Sequence, residues 1–246
     1  MTIEIFKKND IPKKKPLIIG LPDIGLVGAI SSSYLVKTFN MKEVAFIDSQ
    51  KFPPILVFHE TKPVLPVRFH ADDNKTVLMS EVPIPSDQLA PLAEKIVSLA
   101  KDIESEKIIM IGGVPVPNRI ELSKPKVYVA VTNDIDREFL KKKGFEIFKN
   151  GFIAGIYATI LKECIKRKVP AMVLLAESYV NYPDPGAAAA ALEVLGKILN
   201  INIDVEPLLK QEEEIRLKLR ELMQRTMSSL KTSGKEYEFA VPLMYA

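Results

Sequence analysis

Short apolar runs recur along the chain at Pro16 to Gly20, Val44 to Ile47, Val77 to Met79, Lys107 to Ile111, Val127 to Val131 and Ala171 to Leu175. Each is too short for a helix and rich in β-branched residues, which suits strands covered on both faces. The stretches between several of them carry helical spacing. Leu89, Leu92, Ile96, Leu99 and Ile103 step by three and four residues and make one apolar stripe, and Ile153, Ile156, Ile160 and Cys164 do the same after Gly151. Asp184-Pro185 marks a helix start, with a carboxylate at the N-cap and proline at the first helical position, and its apolar face runs through Ala188, Leu192, Leu195 and Leu199. Strands alternating with helices predict a three-layer α/β sandwich around a mostly parallel sheet.

The end of the chain has a different pattern. Pro207 opens a predicted helix running to about Leu230, with Leu208, Ile215, Leu219, Leu222, Met223, Met227 and Leu230 on its apolar side. Glu212, Glu213 and Glu214 come early and Arg216, Lys218, Arg220 and Arg225 late, which matches the helix dipole and allows Glu214 to pair with Lys218. Two readings stay open: a helix packed on its own domain, or a coiled-coil seam between subunits through Ile215, Leu219, Leu222 and Met223. Thr232, Ser233 and Gly234 then read as a helix end and hinge. The predicted organisation is an α/β core over 1–205, a C-terminal helix over 206–231 and a flexible docking tail over 232–246.

Composition narrows the classes. The chain has 246 residues, of which 47% are hydrophobic and 26% charged, enough apolar mass for a substantial core. Its 34 basic and 31 acidic residues leave a net charge of +3, which makes no electrostatic case for nucleic-acid binding. A lone cysteine excludes an internal disulfide and a cysteine-based zinc cluster, and fits a reducing compartment. The charged start, with Glu4, Lys7 and Lys8, has no signal-peptide run, and no segment reaches the ~20 apolar residues needed to cross a bilayer. A cytoplasmic protein without membrane attachment is expected.

Catalytic motifs are sparse. Gly20-Leu21-Pro22-Asp23-Ile24-Gly25-Leu26-Val27-Gly28 follows a strand and opens a helix, where a phosphate loop would sit. Asp23 and Ile24 break the dinucleotide fingerprint, and Leu26-Val27 replaces the lysine and hydroxyl of a nucleotide P-loop. Tight strand-to-helix packing explains these glycines better. His59 and His70 have no metal-ligand spacing, and there is no nucleophile elbow. The enzyme alternative is a phosphorylase- or hydrolase-like activity in a cleft near Gly112, Gly113, Glu177 and Ser178, with Glu81 and Asp184 also near strand ends. No catalytic residue, cofactor or metal is assigned.

The final residues Met244-Tyr245-Ala246 offer an apolar side chain, a ring with a polar tip and a carboxylate, which suit an end-capture pocket. Together with the ordered stretches Gly20 to Gly28, Ile47-Asp48 with Phe52-Pro53-Pro54, Glu81-Val82-Pro83, Gly112-Gly113-Val114-Pro115 and Tyr182-Pro183-Asp184-Pro185 with Ala187-Ala188, the chain resembles the proteasome assembly chaperone family in its archaeal members. That resemblance implies a nucleoside-phosphorylase-like α/β fold without an established active site. It also implies a homo-oligomer that binds proteasome α-subunits or the α-ring. Met244-Tyr245-Ala246 looks like the hydrophobic-tyrosine-X tail by which proteasome activators enter pockets between α-subunits, a tail that many relatives lack.

Overall fold

The computed structural model describes residues 3–232. Nine strands form one sheet in the order β1-β3-β6-β7-β2-β8-β11-β9-β10. They are β1 (Glu4–Lys7), β2 (Leu17–Gly20), β3 (Lys42–Asp48), β6 (Val67–Ala71), β7 (Thr76–Ser80), β8 (Ile108–Pro115), β9 (Val127–Val131), β10 (Glu146–Ile147) and β11 (Ala171–Ser178). Among the described residues β4 (Val57–His59) and β5 (Lys62–Val64) pair only with each other, as a separate hairpin. The sheet is parallel through its centre, from β7 across β2 and β8 to β11. It is antiparallel on one flank, where β1, β3, β6 and β7 follow one another, and again where β11 meets β9.

The α/β sandwich read from the sequence is the architecture found. Alternate residues of each central strand face two separate cores. Leu17, Ile19, Ile108, Met110, Val173 and Leu175 face α2 (Leu89–Asp102) and α4 (Gly155–Arg167). Ile18, Ile109, Ile111, Met172 and Leu174 face α1 (Val27–Thr38) and α5 (Pro185–Leu199). The predicted stripe Leu92, Ile96, Leu99 is buried, and Asp184 caps α5 as expected, accepting a bond from the Ala187 backbone N–H. α4 begins later than the Gly151 stripe implied, because Gly155 itself has φ +72 and the chain enters the helix only there.

Two elements depart from expectation. β6 went unread because Arg68 and His70 interrupt its apolar run, yet all five of its residues are buried. Its polar side chains occupy one face of the strand while Val67, Phe69 and Ala71 join the other core. The long C-terminal helix is three short ones: α6 (Glu206–Lys210), α7 (Glu212–Lys218) and α8 (Arg220–Thr232). The chain turns at Gln211 and at Leu219, where ψ is 14° and 3°. These turns let Leu208, Met223 and Leu230 each reach the domain's own interior, where all three are buried. A straight helix of that length would run about 36 Å and carry most of its apolar side past the domain. Glu214 and Lys218 do pair across one turn of α7. α3 (Asp134–Lys142) packs near the far edge beside β9 and β10.

His70 makes the fold pH-sensitive. Burial first, and the Arg68 charge second, hold its pKa down from 6.5 to about 4, against weaker opposing pulls from Glu43 and Glu81. The folded state therefore keeps His70 neutral while the unfolded chain takes up the proton at higher pH. Its stabilising contribution is complete above about pH 6.5 and is lost as the pH falls toward 4, by up to about 3 kcal/mol. Melting temperatures from pH 7.5 to 4.5 are expected to fall more steeply for the native protein than for His70→Gln. Parallel curves would remove His70 as the cause.

Candidate functional site

The carboxyl ends of the central strands are the place where an α/β protein most often builds a site. Here they are closed by packing. Gly25 has φ +59, and a Cβ there would lie 1.9 Å from Ser178 Oγ, so both backbone conformation and space require glycine. A Cβ on Gly28 would meet the Ile111 carbonyl oxygen at 2.4 Å and the Tyr157 hydroxyl at 2.5 Å. The glycine loop thus brings α1 hard against β8 and the Tyr157 ring. The Tyr157 hydroxyl accepts from the Leu21 N–H at 3.0 Å and donates to the Leu21 carbonyl. Its pKa is pushed well above the ordinary value by burial and by the Asp23 charge. Tyr157 is a structural clamp on the loop.

The residues of the enzyme alternative do not converge. Glu177 and Ser178 are neighbours on β11, so their side chains leave opposite faces of the sheet. Glu177 accepts from the Lys126 N–H at 2.8 Å and from the Tyr128 hydroxyl at 3.1 Å. Burial, then the Glu177 charge, push Tyr128 up to about 12. Ser178 is fully buried, with its hydroxyl donating to the Tyr179 carbonyl. Beside Gly112 the space is taken by the Tyr157 ring, and beside Gly113 by the backbone of Ile24. Glu81 sits elsewhere, at the end of β7, where it bonds Arg68 and lies 3.0 Å from His59 Nε2. Among the described residues no cluster of His, Cys, Asp and Glu could hold a metal ion.

Asp184 does more than cap a helix. It is fully buried and accepts from Arg119 Nε at 2.7 Å and Nη2 at 2.9 Å, with a further bond from the Tyr179 N–H. Its own N–H donates to the Gly25 carbonyl. Through its carboxylate and its backbone N–H, this one residue ties the loop after β8, the loop after β11 and the glycine loop together. The Arg119 and Arg216 guanidinium groups both approach the Tyr179 ring, 5.0 and 5.6 Å from its centre, which links α7 to the same knot. Nothing in the sequence marked Arg119, a single cation in a loop.

The predicted interface residues are divided by the fold. Met223 is buried in the chain's own second core, while Ile215, Leu219 and Leu222 are half-buried against it. Their free sides line a groove of about 620 Å³ between α1 and α6–α8, with Ala29, Tyr34 and Met79 opposite. The groove was not legible in the sequence, because its walls come from segments nearly 200 positions apart. Met244, Tyr245 and Ala246 lie outside the described residues, as does nearly all of the predicted tail over 232–246. Among the described residues no helix is long and apolar enough to cross a membrane.

Comparison with known proteins agrees with the resemblance read from the ordered motifs. The model of the PAC2 family matches residues 17–223. An uncharacterised protein of Methanocaldococcus jannaschii is 29% identical over 96% of this chain and 97% of its own. The crystal structure of Pyrococcus furiosus PbaA, an archaeal homologue of proteasome-assembly chaperone, superimposes with a TM-score of 0.86 at 29% identity, covering 92% of this chain and 98% of PbaA. Pyrococcus furiosus PbaB, an archaeal proteasome activator, gives a TM-score of 0.76 at 25% identity, covering 90% of this chain and 98% of PbaB. With residues 17–223 matched by the family model and about nine-tenths of its length aligned with these structures, the chain belongs to the PAC2 family.

Proposed function

We propose that this protein binds the proteasome α-ring as a homo-oligomer, through Met244-Tyr245-Ala246, and acts as an assembly chaperone, an ATP-independent activator or both. The observation that carries the reading is the likeness to PbaA and PbaB over nine-tenths of the chain, joined to the terminal tripeptide. The closed strand ends support a binding role over a catalytic one: glycines, Tyr157 and the Asp184 knot fill the space where substrate would enter. No cofactor is needed for such a role, and the cytoplasm is where this partner would be met.

A short peptide in a pocket buries little surface and binds weakly. Several tails on one oligomer engage a ring together, and avidity exceeds single-site affinity by ~10²–10⁴-fold. From Ser233 to Ala246 the chain spans at most ~46–50 Å when extended, enough to bridge partners of different symmetry. A pull-down with the intact chain and with one ending at Pro242, scored for proteasome α-subunits, tests the reading. The intact chain is expected to retain α-subunits and the shortened chain to lose them. Equal retention would move the contact to the folded domain, and no retention by either would end the proposal.

A further inference from the structure

The run Ile55 to Phe58, which leads into the β4–β5 hairpin, is apolar on both sides. Ile55 packs against the first core and Val57 is half-buried, while Leu56 and Phe58 point the other way and are 49% and 64% exposed. A strand with apolar residues on both sides is ordinarily covered on both sides. Among the described residues β4 and β5 pair with no other strand, and a lone two-stranded hairpin is marginal in water. Its two-residue turn is also strained: Glu60 and Thr61 take φ +48° and +72°, where such turns favour asparagine and glycine. Strain of this kind persists where surrounding contacts hold it and gathers at working surfaces. The hairpin is tied to the sheet beside its turn, where His59, the residue before Glu60, meets Glu81 and Arg68, and buried Arg68 bonds Glu81.

Glu81 also lines the groove between α1 and α6–α8, so knob and groove adjoin on one side of the molecule. Their chemistry matches. The groove floor is apolar through Ala29, Ile30, Leu219 and Leu222, and its rim carries Lys37, Lys218 and Asp204. The hairpin carries apolar Phe58, with Leu56 just before β4, and has Glu60 and Lys62 at its turn, which can meet a rim lysine and Asp204 respectively. Every copy of the chain carries one such knob and one such groove. We propose that the hairpin of one copy seats Leu56 and Phe58 in the α1/α6–α8 groove of a second copy, and that this contact builds the oligomer. The inference rests on the homo-oligomer reading above and supplies its interface: Leu219 and Leu222 act as the receiving wall, and Met223 supports it from within.

Sedimentation equilibrium of the full chain at micromolar concentration tests it. The native protein is expected to sediment as an oligomer. Phe58→Asp, on a side chain already mostly exposed and so harmless to the fold, and Leu222→Glu, in the groove, are each expected to weaken association by about 100-fold or more. Mixing the two variants is then expected to restore a complex, since the intact groove of one meets the intact hairpin of the other. Melting curves establish that each variant is folded. Should Leu222→Glu fail to fold, Lys218→Glu with Leu219→Ser replaces it. An oligomeric native protein whose Phe58→Asp or groove variant stays oligomeric overturns the hairpin contact alone. So does a mixture that remains dissociated. A native protein that sediments at 27.5 kDa overturns both this contact and the homo-oligomer reading, while leaving tail binding to be judged by the pull-down.

Discussion

Tyr245→Ala is expected to remove most of the binding of this protein to proteasome α-rings while leaving its melting temperature unchanged. The tyrosine ring is the largest apolar group in the terminal tripeptide, and burying it contributes roughly 1.5–3 kcal/mol per tail. Its hydroxyl adds a hydrogen bond of about 0.5–1.5 kcal/mol, so Tyr245→Phe should cost only that much. Met244 adds an adaptable apolar contact beside it. The carboxylate of Ala246 would form a charge-assisted bond with a basic residue of the partner, stronger than a neutral one. A few residues added beyond Ala246 should therefore be nearly as harmful as losing the ring, because they displace the charge and leave that basic group unpaired. Losses multiply across tails, so modest changes per tail become large in the assembled complex. Binding of the native chain, Tyr245→Ala and the extended chain to immobilised α-rings checks this. If all three bind alike, the tail is not the docking element.

The largest expected effect on stability comes from Asp184. Removing one partner of a buried ion pair leaves the other charge uncompensated and typically costs about 3–5 kcal/mol. Asp184→Ala should reach that range, since it strands the Arg119 guanidinium and also strips the cap from α5. For a domain of this size the melting temperature should drop by roughly 6–20 °C. Arg119→Ala should do comparable damage, because Asp184 is then a buried anion with only backbone partners. The double variant should lose less than the sum of the two. Single variants that each shift the melting temperature by under about 2 °C would show that water reaches the knot and screens it.

How much of this was legible along the chain depended on distance in sequence. Strands β2, β3, β7, β8, β9 and β11 were announced by their own apolar runs, since a strand buried on both faces needs apolar residues at every position. The cap at Asp184 was announced by the proline that follows it. β6 was not, because Arg68 and His70 are polar groups whose burial depends on neighbours from other segments. The hairpin was not read: its only trace is the run Ile55 to Phe58, flanked by Pro53, Pro54 and Pro63, which disfavour a strand.

The C-terminal region shows the division most clearly. Leu208, Leu219, Met223 and Leu230 were recognisable as one apolar side from spacing alone, because amphipathic periodicity is a local property. Whether that side faced its own domain or another chain was not local. The turns at Gln211 and Leu219 settle it for Leu208, Met223 and Leu230, which enter the interior, and leave the half-buried Ile215, Leu219 and Leu222 as one wall of a groove. The same holds for the glycine loop. That it was no nucleotide fingerprint could be read from Asp23, Ile24, Leu26 and Val27, since a phosphate cradle demands particular residues at particular spacings. What its glycines do instead, admitting Tyr157, Ser178 and the Asp184 knot against the strand ends, belongs to the tertiary structure, because close approach between segments more than 100 positions apart has no signature in either segment by itself.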